Sequence, residues 1–341
     1  MLKPFDEVFE DRTKYGTKIK TDDYHATGTH IIIDQGQEQI AGYTDLEGGL
    51  FTEVPAIIFG DHTRIIKYVD RPFFLGADGV KVLRCRYKDA NYKYLYYALK
   101  SVLVPNTGYN RHFKWLKEAT ISYPDKNVQE KIVDALEKAS VIMDKRKQQL
   151  SALDDLIKAR FVEMFGDVIR NDKGWLQYVF SDIAASRLGK MLDAKQQTGK
   201  NKYPYLANFN VQWFRFELEN LNEMDFNEAD QKEFELKEGD LLVCEGGEIG
   251  RCAVWHNEVQ PCYFQKALHR VRCNTDIVLP EYLARWFQYN CEHGGFASIE
   301  GAKATIAHLP GAKLKALKVT APPIKHQEQF ANFVTQIDKS K

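Results

Sequence analysis

The sequence predicts a mixed α/β (α+β) chain in which two related globules are separated by long antiparallel coiled-coil spacer helices, as a pseudo-two-fold internal repeat. Three observations carry this reading. Leu116-Lys117-Glu118-Ala119-Thr120-Ile121-Ser122-Tyr123-Pro124 aligns without gaps on Leu314-Lys315-Ala316-Leu317-Lys318-Val319-Thr320-Ala321-Pro322, and Gln129-Glu130 then falls on Gln327-Glu328 in the same register. Behind the first copy, Ile132, Leu136, Ala139, Met143, Arg146, Leu150, Leu153, Ile157, Arg160 and Met164 step alternately by four and three residues, which is a heptad seam. Short apolar runs bounded by Gly and Asp supply strands on either side of that helix.

Taken in order, the first globule spans 1–124, with strands expected at 29–34, 55–59 and 79–84. A spacer helix follows over 125–165. At 1.5 Å per residue its seam is on the order of 55 Å long, and Gly166-Asp167 stops it. The second globule, 166–322, has strands at 240–244 and 251–255 around Gly246-Gly247-Glu248-Ile249-Gly250, read as a hairpin. A distal helix over 323–341 repeats the seam with Phe330, Val334 and Ile337 on the positions of Ile132, Leu136 and Ala139. Upstream the repeat is looser: Tyr94-Leu95 answers Tyr282-Leu283, Val82-Leu83-Arg84-Cys85 answers Arg270-Val271-Arg272-Cys273, and Gly108 answers Gly301.

Composition bounds the function. The chain has 341 residues, 47 basic against 47 acidic, and is 44% hydrophobic, which suits two packed domains and argues against general disorder. No apolar run approaches the roughly 20 residues of a membrane span, and Met1 to Asp6 lacks a basic-then-apolar leader pattern. A cytoplasmic protein is expected. Six cysteines without a C-x-x-C pair read as reduced thiols, and nine scattered histidines give no metal-ligand spacing. Zero net charge lacks the basic excess usual in nucleic-acid binders, although it leaves room for a basic face balanced elsewhere.

Catalytic signatures are missing: there is no P-loop, no H-E-x-x-H, no G-x-S-x-G, and no Asn/Asp-Pro-Pro-aromatic tetrapeptide. Glu235-Leu236-Lys237 imitates part of a nuclease site, but no acidic partner on a clear strand precedes it. What remains is loop chemistry suited to DNA. Tyr109, Asn110, Arg111, His112 and Lys114 form one cluster. Lys195, Lys200, Lys202, Tyr203, Asn208 and Asn210 form a second, joined by Gln265, Lys266, His269 and Arg270, while Lys303 follows Gly301 as Arg111 follows Gly108. Asn and Gln can bond adenine bidentately, Arg and Lys can do so with guanine, and cations hold phosphates.

These residues resemble the specificity subunits of type I restriction-modification systems. The resemblance spans nearly the whole chain: Gln129-Glu130, Lys145 to Leu150, Arg160 to Asp167, Gly239 to Leu242 with Gly246 to Arg251, Gln265 to Arg272, and Ala321-Pro322-Pro323 to Gln327-Glu328. It implies two target recognition domains, each reading half of a bipartite site in double-stranded DNA. Conserved helices between them set the half-site spacing and dock two modification subunits. Ile132, Leu136, Met143, Leu150, Leu153, Ile157, Phe330, Val334 and Ile337 would form the helix seam. The chain itself would be non-catalytic and bind no cofactor or metal; S-adenosylmethionine, and ATP and Mg, would enter through modification and restriction subunits. The competing readings are a stand-alone DNA-modifying enzyme and a protein scaffold of two modules on a coiled coil. One departure stands out, because the distal helix stops at Lys341. Gln148 to Phe165 is therefore expected to lack a partner in the same chain, with Leu150, Leu153 and Ile157 exposed.

Overall fold

The computed structural model describes residues 1–193, 198–297 and 308–341, and divides into two compact units, Met1–Arg146 and Lys147–Lys341. In the first unit β1 (Leu2–Pro4) leads through a single helical turn, α1 (Phe5–Val8), into β2 (Phe9–Asp11). Next come β3 (His30–Ile33), β4 (Gly42–Thr44), β5 (Ala56–Gly60), β6 (Ile66–Val69), β7 (Phe73–Leu75) and β8 (Val80–Cys85). Helices α2 (Tyr92–Lys100) and α3 (Phe113–Lys117), then β9 (Thr120–Ser122), lead into α4 (Lys126–Phe165).

The second unit repeats this plan. It runs β10 (Leu176–Val179), α5 (Phe180–Ile183), β11 (Ala184–Leu188), β12 (Lys202–Leu206), the small hairpin β13 (Val211–Gln212) and β14 (Arg215–Phe216), β15 (Asn222–Asp225) and α6 (Glu228–Phe234). It continues through β16 (Leu241–Cys244), β17 (Cys252–Val254), β18 (Tyr263–Phe264), β19 (Leu268–Cys273), α7 (Pro280–Glu292), α8 (Gly311–Lys315), β20 (Lys318–Ala321) and α9 (Ile324–Asp338).

The sheets match strand for strand. Unit 1 orders one sheet β2-β8-β5-β6 and another β4-β3-β7; unit 2 orders them β11-β19-β16-β17 and β15-β12-β18. Even the parallel pairing recurs, as β3 with β7 and β12 with β18. Each unit is also clasped at its ends, since β1 pairs antiparallel with β9 and β10 with β20. The inner strands β5 and β16 are buried on both faces, which is why 56–60 and 241–244 read as continuous apolar runs.

The repeated residues have a physical job. Gln129 and Gln327 are buried at the start of α4 and α9, and each donates from Nε2 back to a proline carbonyl, Pro124 at 2.8 Å and Pro322 at 2.7 Å. The hydroxyls of Tyr94 and Tyr282 donate to the carbonyls of Ser122 and Thr320 at 2.8 and 2.7 Å, locking α2 and α7 to the last strand of their units. Buried backbone carbonyls need such donors, so the pattern survives where the surrounding sequence differs.

The two halves of α4 have opposite fates. In unit 2, Ile157, Phe161 and Phe165 are buried with Tyr282 and Phe330 in one core. Phe161 and Phe165 each meet the Phe330 ring edge-on at 5.5 Å. Lys341 reaches Asp154 at 2.7 Å, so α9 runs antiparallel to the end of α4. This corrects the expectation for Gln148 to Phe165: Ile157 is fully buried, and Leu150 and Leu153 are partly buried. An antiparallel partner begins its packing at the far end of the first helix, not at its beginning. The bare stretch lies instead in unit 1, where Ile132, Leu136 and Met143 are exposed, Met143 to 71%. There Val133, not the seam residue Ile132, packs on the globule.

Candidate nucleic-acid interface

In unit 1 three connections converge: the β5–β6 turn, the β7–β8 turn and the loop between α2 and α3. Tyr109 is 88% exposed and stacks flat on His62, with centroids 4.7 Å apart and planes 7° from parallel. His62 lies in the β5–β6 turn; its backbone N–H donates to Gln35 Oε1 at 3.1 Å, and its Nδ1–H donates to the carbonyl of Asn110 at 3.1 Å. Asn110 spends its own amide on Thr107, donating to the carbonyl at 2.6 Å, so it shapes the loop. Arg111 and Lys114 are exposed; the Lys114 ammonium sits 4.1 Å over the Trp115 ring. The Lys18 ammonium, bonded to Asp78 at 2.8 Å, holds that carboxyl below its ordinary value, with smaller contributions from Arg111 and His62. The cluster is thus an exposed aromatic stack beside cations. A base or sugar can stack on it and a phosphate can be held.

His112 does not belong to that surface. It is fully buried, its backbone N–H donates to the Asp61 carbonyl at 2.7 Å, and its Nδ1 lies 3.0 Å from the same oxygen. Asp61 in turn accepts the Phe113 N–H at 2.8 Å, so His112 fixes the loop from beneath. His62, by contrast, is missing from the sequence reading. It carries no local signal there, since its partners lie dozens of residues away.

In unit 2 the basic loop before β12 is built on Asp225. Burial raises that carboxyl, but the N–H groups of Gly199 and Asn201, with Thr198, outweigh it and hold the group below its ordinary value. The bonds are 2.6 Å to Gly199 N, 3.1 Å to Asn201 N and 3.0 Å to Thr198 Oγ1. This anionic nest fixes the loop that presents Lys200 and Lys202 to solvent. Lys190 braces it from inside, donating to Asp230 and to the Asp225 carbonyl, both at 2.6 Å. Lys266 is exposed and Gln265 half-buried beside it; the Asn208 carbonyl accepts Arg251 Nη2 at 3.0 Å. Tyr203 packs edge-on against Tyr263 at 5.3 Å.

Two expected contacts fall inside the protein. Asn210 is 2% exposed and bonds the Ala207 N–H and the Glu217 carbonyl, closing a turn. His269 is 1% exposed and donates from Nε2 to the Leu309 carbonyl at 2.8 Å. Arg270 turns inward in part, donating to the Glu233 carbonyl at 2.7 Å over the Phe264 ring. Lys195 and Lys303 lie outside the described residues. Burial pushes the Cys244 thiol to about 11 and the Cys262 thiol to about 12. Among the described residues no cluster of three or more His, Cys, Asp or Glu could hold a metal ion, and no helix is long and apolar enough to cross a membrane.

A duplicated strand order around exposed basic and aromatic loops, on a long helix, defines a DNA-reading module present twice. The chain belongs to the type I restriction modification DNA specificity domain family, whose model matches residues 3–152 and again 172–341. It is similar to the type I restriction enzyme EcoR124I/EcoR124II specificity subunit of Escherichia coli, 23% identical over 358 residues that cover 98% of this chain and 86% of that one. The fold is that of the type I restriction-modification S subunit from M. genitalium, with a TM-score of 0.58 at 15% identity over 100% of this chain and 89% of that one. A chain from a structural study of complex assembly and conformational transition of the type I R-M system gives 0.52 at 13% identity, covering 100% and 90%. The protein is a DNA specificity subunit of a type I restriction-modification system. It is the recognition subunit rather than a catalytic one, and acts in a complex with modification and restriction subunits and DNA.

Proposed function

We propose that each unit reads one half of a bipartite target, that α4 and α9 set the spacing between the half-sites, and that these helices dock two modification subunits. The observation that supports this most is the recurrence of one strand order in both units, each with basic or aromatic loops of different sequence. Equal scaffolds with unequal loops suit one task performed twice on different bases. In unit 1 the reading residues are Tyr109, Arg111 and Lys114, positioned by His62, Asn110 and His112. In unit 2 they are Lys200, Lys202, Lys266 and the neighbouring amides. S-adenosylmethionine, and ATP with Mg, would be bound by the partner subunits. The experiment is a unit exchange: residues 1–124 are replaced by the matching segment of a specificity subunit with a known target, and genomic methylation is sequenced. One half-site should change and the other persist; a change in both, or in neither, would overturn the assignment.

A further inference from the structure

Unit 2 buries a guanidinium. Arg285 on α7 is 6% exposed; its guanidinium lies 3.4 Å over the Phe214 ring centroid and donates to Gln288 Oε1 at 3.0 Å. Among the described residues no carboxylate comes within ion-pair distance of it. The acidic neighbours that favour its charge are already engaged: Asp154 and Asp338 by Lys341 at 2.7 and 2.8 Å, Glu292 by Lys158 at 2.7 Å. Burial pushes the guanidinium down to about 10. A desolvated cation in this state is costly unless an acceptor arrives.

The space for an acceptor is present. Arg285, Gln288 and Lys158 line two cavities of about 490 Å³ each. The walls of the first are largely apolar, from Phe161, Val162 and Tyr289. Trp213 and Phe214 stand in the second.

We infer that this groove is a docking site for an acidic side chain flanked by apolar residues on a partner polypeptide, its carboxylate meeting Arg285. The inference rests on the reading that the helices carry partner subunits, and it names the chemistry of one contact. Charge complementarity selects the occupant. A single carboxylate matches the Arg285 guanidinium, whereas a run of DNA phosphates would meet Asp154, Glu292 and Asp338 as well. The apolar walls favour hydrocarbon over a phosphodiester. Through the Tyr94-Leu95 and Tyr282-Leu283 correspondence, Tyr97 stands where unit 2 has Arg285. Unit 1 therefore has no arginine at the corresponding position.

The test titrates 3-phenylpropionate and its neutral amide, 3-phenylpropionamide, into the full chain, following calorimetric heats and stoichiometry. The acid should bind saturably at one site, at least tenfold tighter than the amide. Arg285→Met should erase that preference, with circular dichroism confirming the fold. Should Arg285→Met fail to fold, Val162→Trp, at a 44% exposed position, should block binding while leaving the arginine in place. Equal binding of acid and amide, an unchanged preference in Arg285→Met, no effect of the Val162 variant, or competition by a short DNA duplex would overturn the site. Co-purification with the modification subunits runs in parallel. If they bind the wild-type chain while the acid does not, the groove inference alone fails; if they do not bind, the reading of the helices as a docking surface fails.

Discussion

Tyr109 is held by a ring that its own segment does not supply, and that fact sets what single residues can be expected to do. Arg111→Ala should remove one base or phosphate contact and relax discrimination in one half-site by about 1–3 kcal/mol, read by methylome sequencing as degeneracy at one position with the other half-site intact. His62→Ala should blur the same half-site, because it frees the Tyr109 ring and the Asn110 carbonyl. A buried histidine gives a pH signature. Burial holds His269 below its ordinary 6.5, so the folded chain keeps it neutral while the unfolded chain takes up a proton first. Its contribution is full above about 6.5 and is lost as the pH falls through the folded-state value. Denaturant midpoints should therefore drop between pH 7.5 and 5.5, and drop less in His269→Gln. At this scale the sequence is legible only by residue type. Arg111 and Lys200 are exposed in loops and Lys202 is exposed at the start of β12, but His112, Asn210 and His269 have the same polar character and serve the core. Side chains that bond loop backbone and side chains that bond a ligand use identical groups, so composition cannot separate them.

Among elements, α4 shows how a seam can be read correctly and assigned to the wrong cover. The four-three spacing locates the helix well, as does the Gln-Glu repeat at its start, because both follow from backbone geometry. Which half is covered depends on the direction of the partner, and direction is a tertiary fact. Phe330→Ala should cost about 3–5 kcal/mol, since Phe330 is fully buried among Phe161, Phe165 and Tyr282. Met143→Ser, on the bare stretch, should change stability by no more than about 0.5 kcal/mol. Thermal melts of the two variants would check this contrast; equal losses would mean that the first half of α4 is covered in solution.

For the molecule as a whole, the equality of 47 basic and 47 acidic residues takes on a new meaning. Cations gather at Lys18, Arg111 and Lys114 in one unit and at Lys200, Lys202 and Lys266 in the other, while acidic residues are spent on nests and helix pairs such as Asp225 and Asp154. The isolated chain should bind DNA weakly and with a steep loss on raising salt from 50 to 200 mM; the assembled complex should bind tightly, as fluorescence anisotropy would show. Inserting seven residues after Gln149 should lengthen the permitted gap between half-sites without altering the bases read. The clasps β1–β9 and β10–β20 add a consequence of another kind. Each unit enters and leaves through two hydrogen-bonded neighbours, so its ends lie side by side whatever the loops between them contain. A recombination event that exchanges everything inside one clasp hands on a folded cassette with its seams already matched. A population of cells can then acquire a new target by shuffling gene segments, without first evolving a new interface.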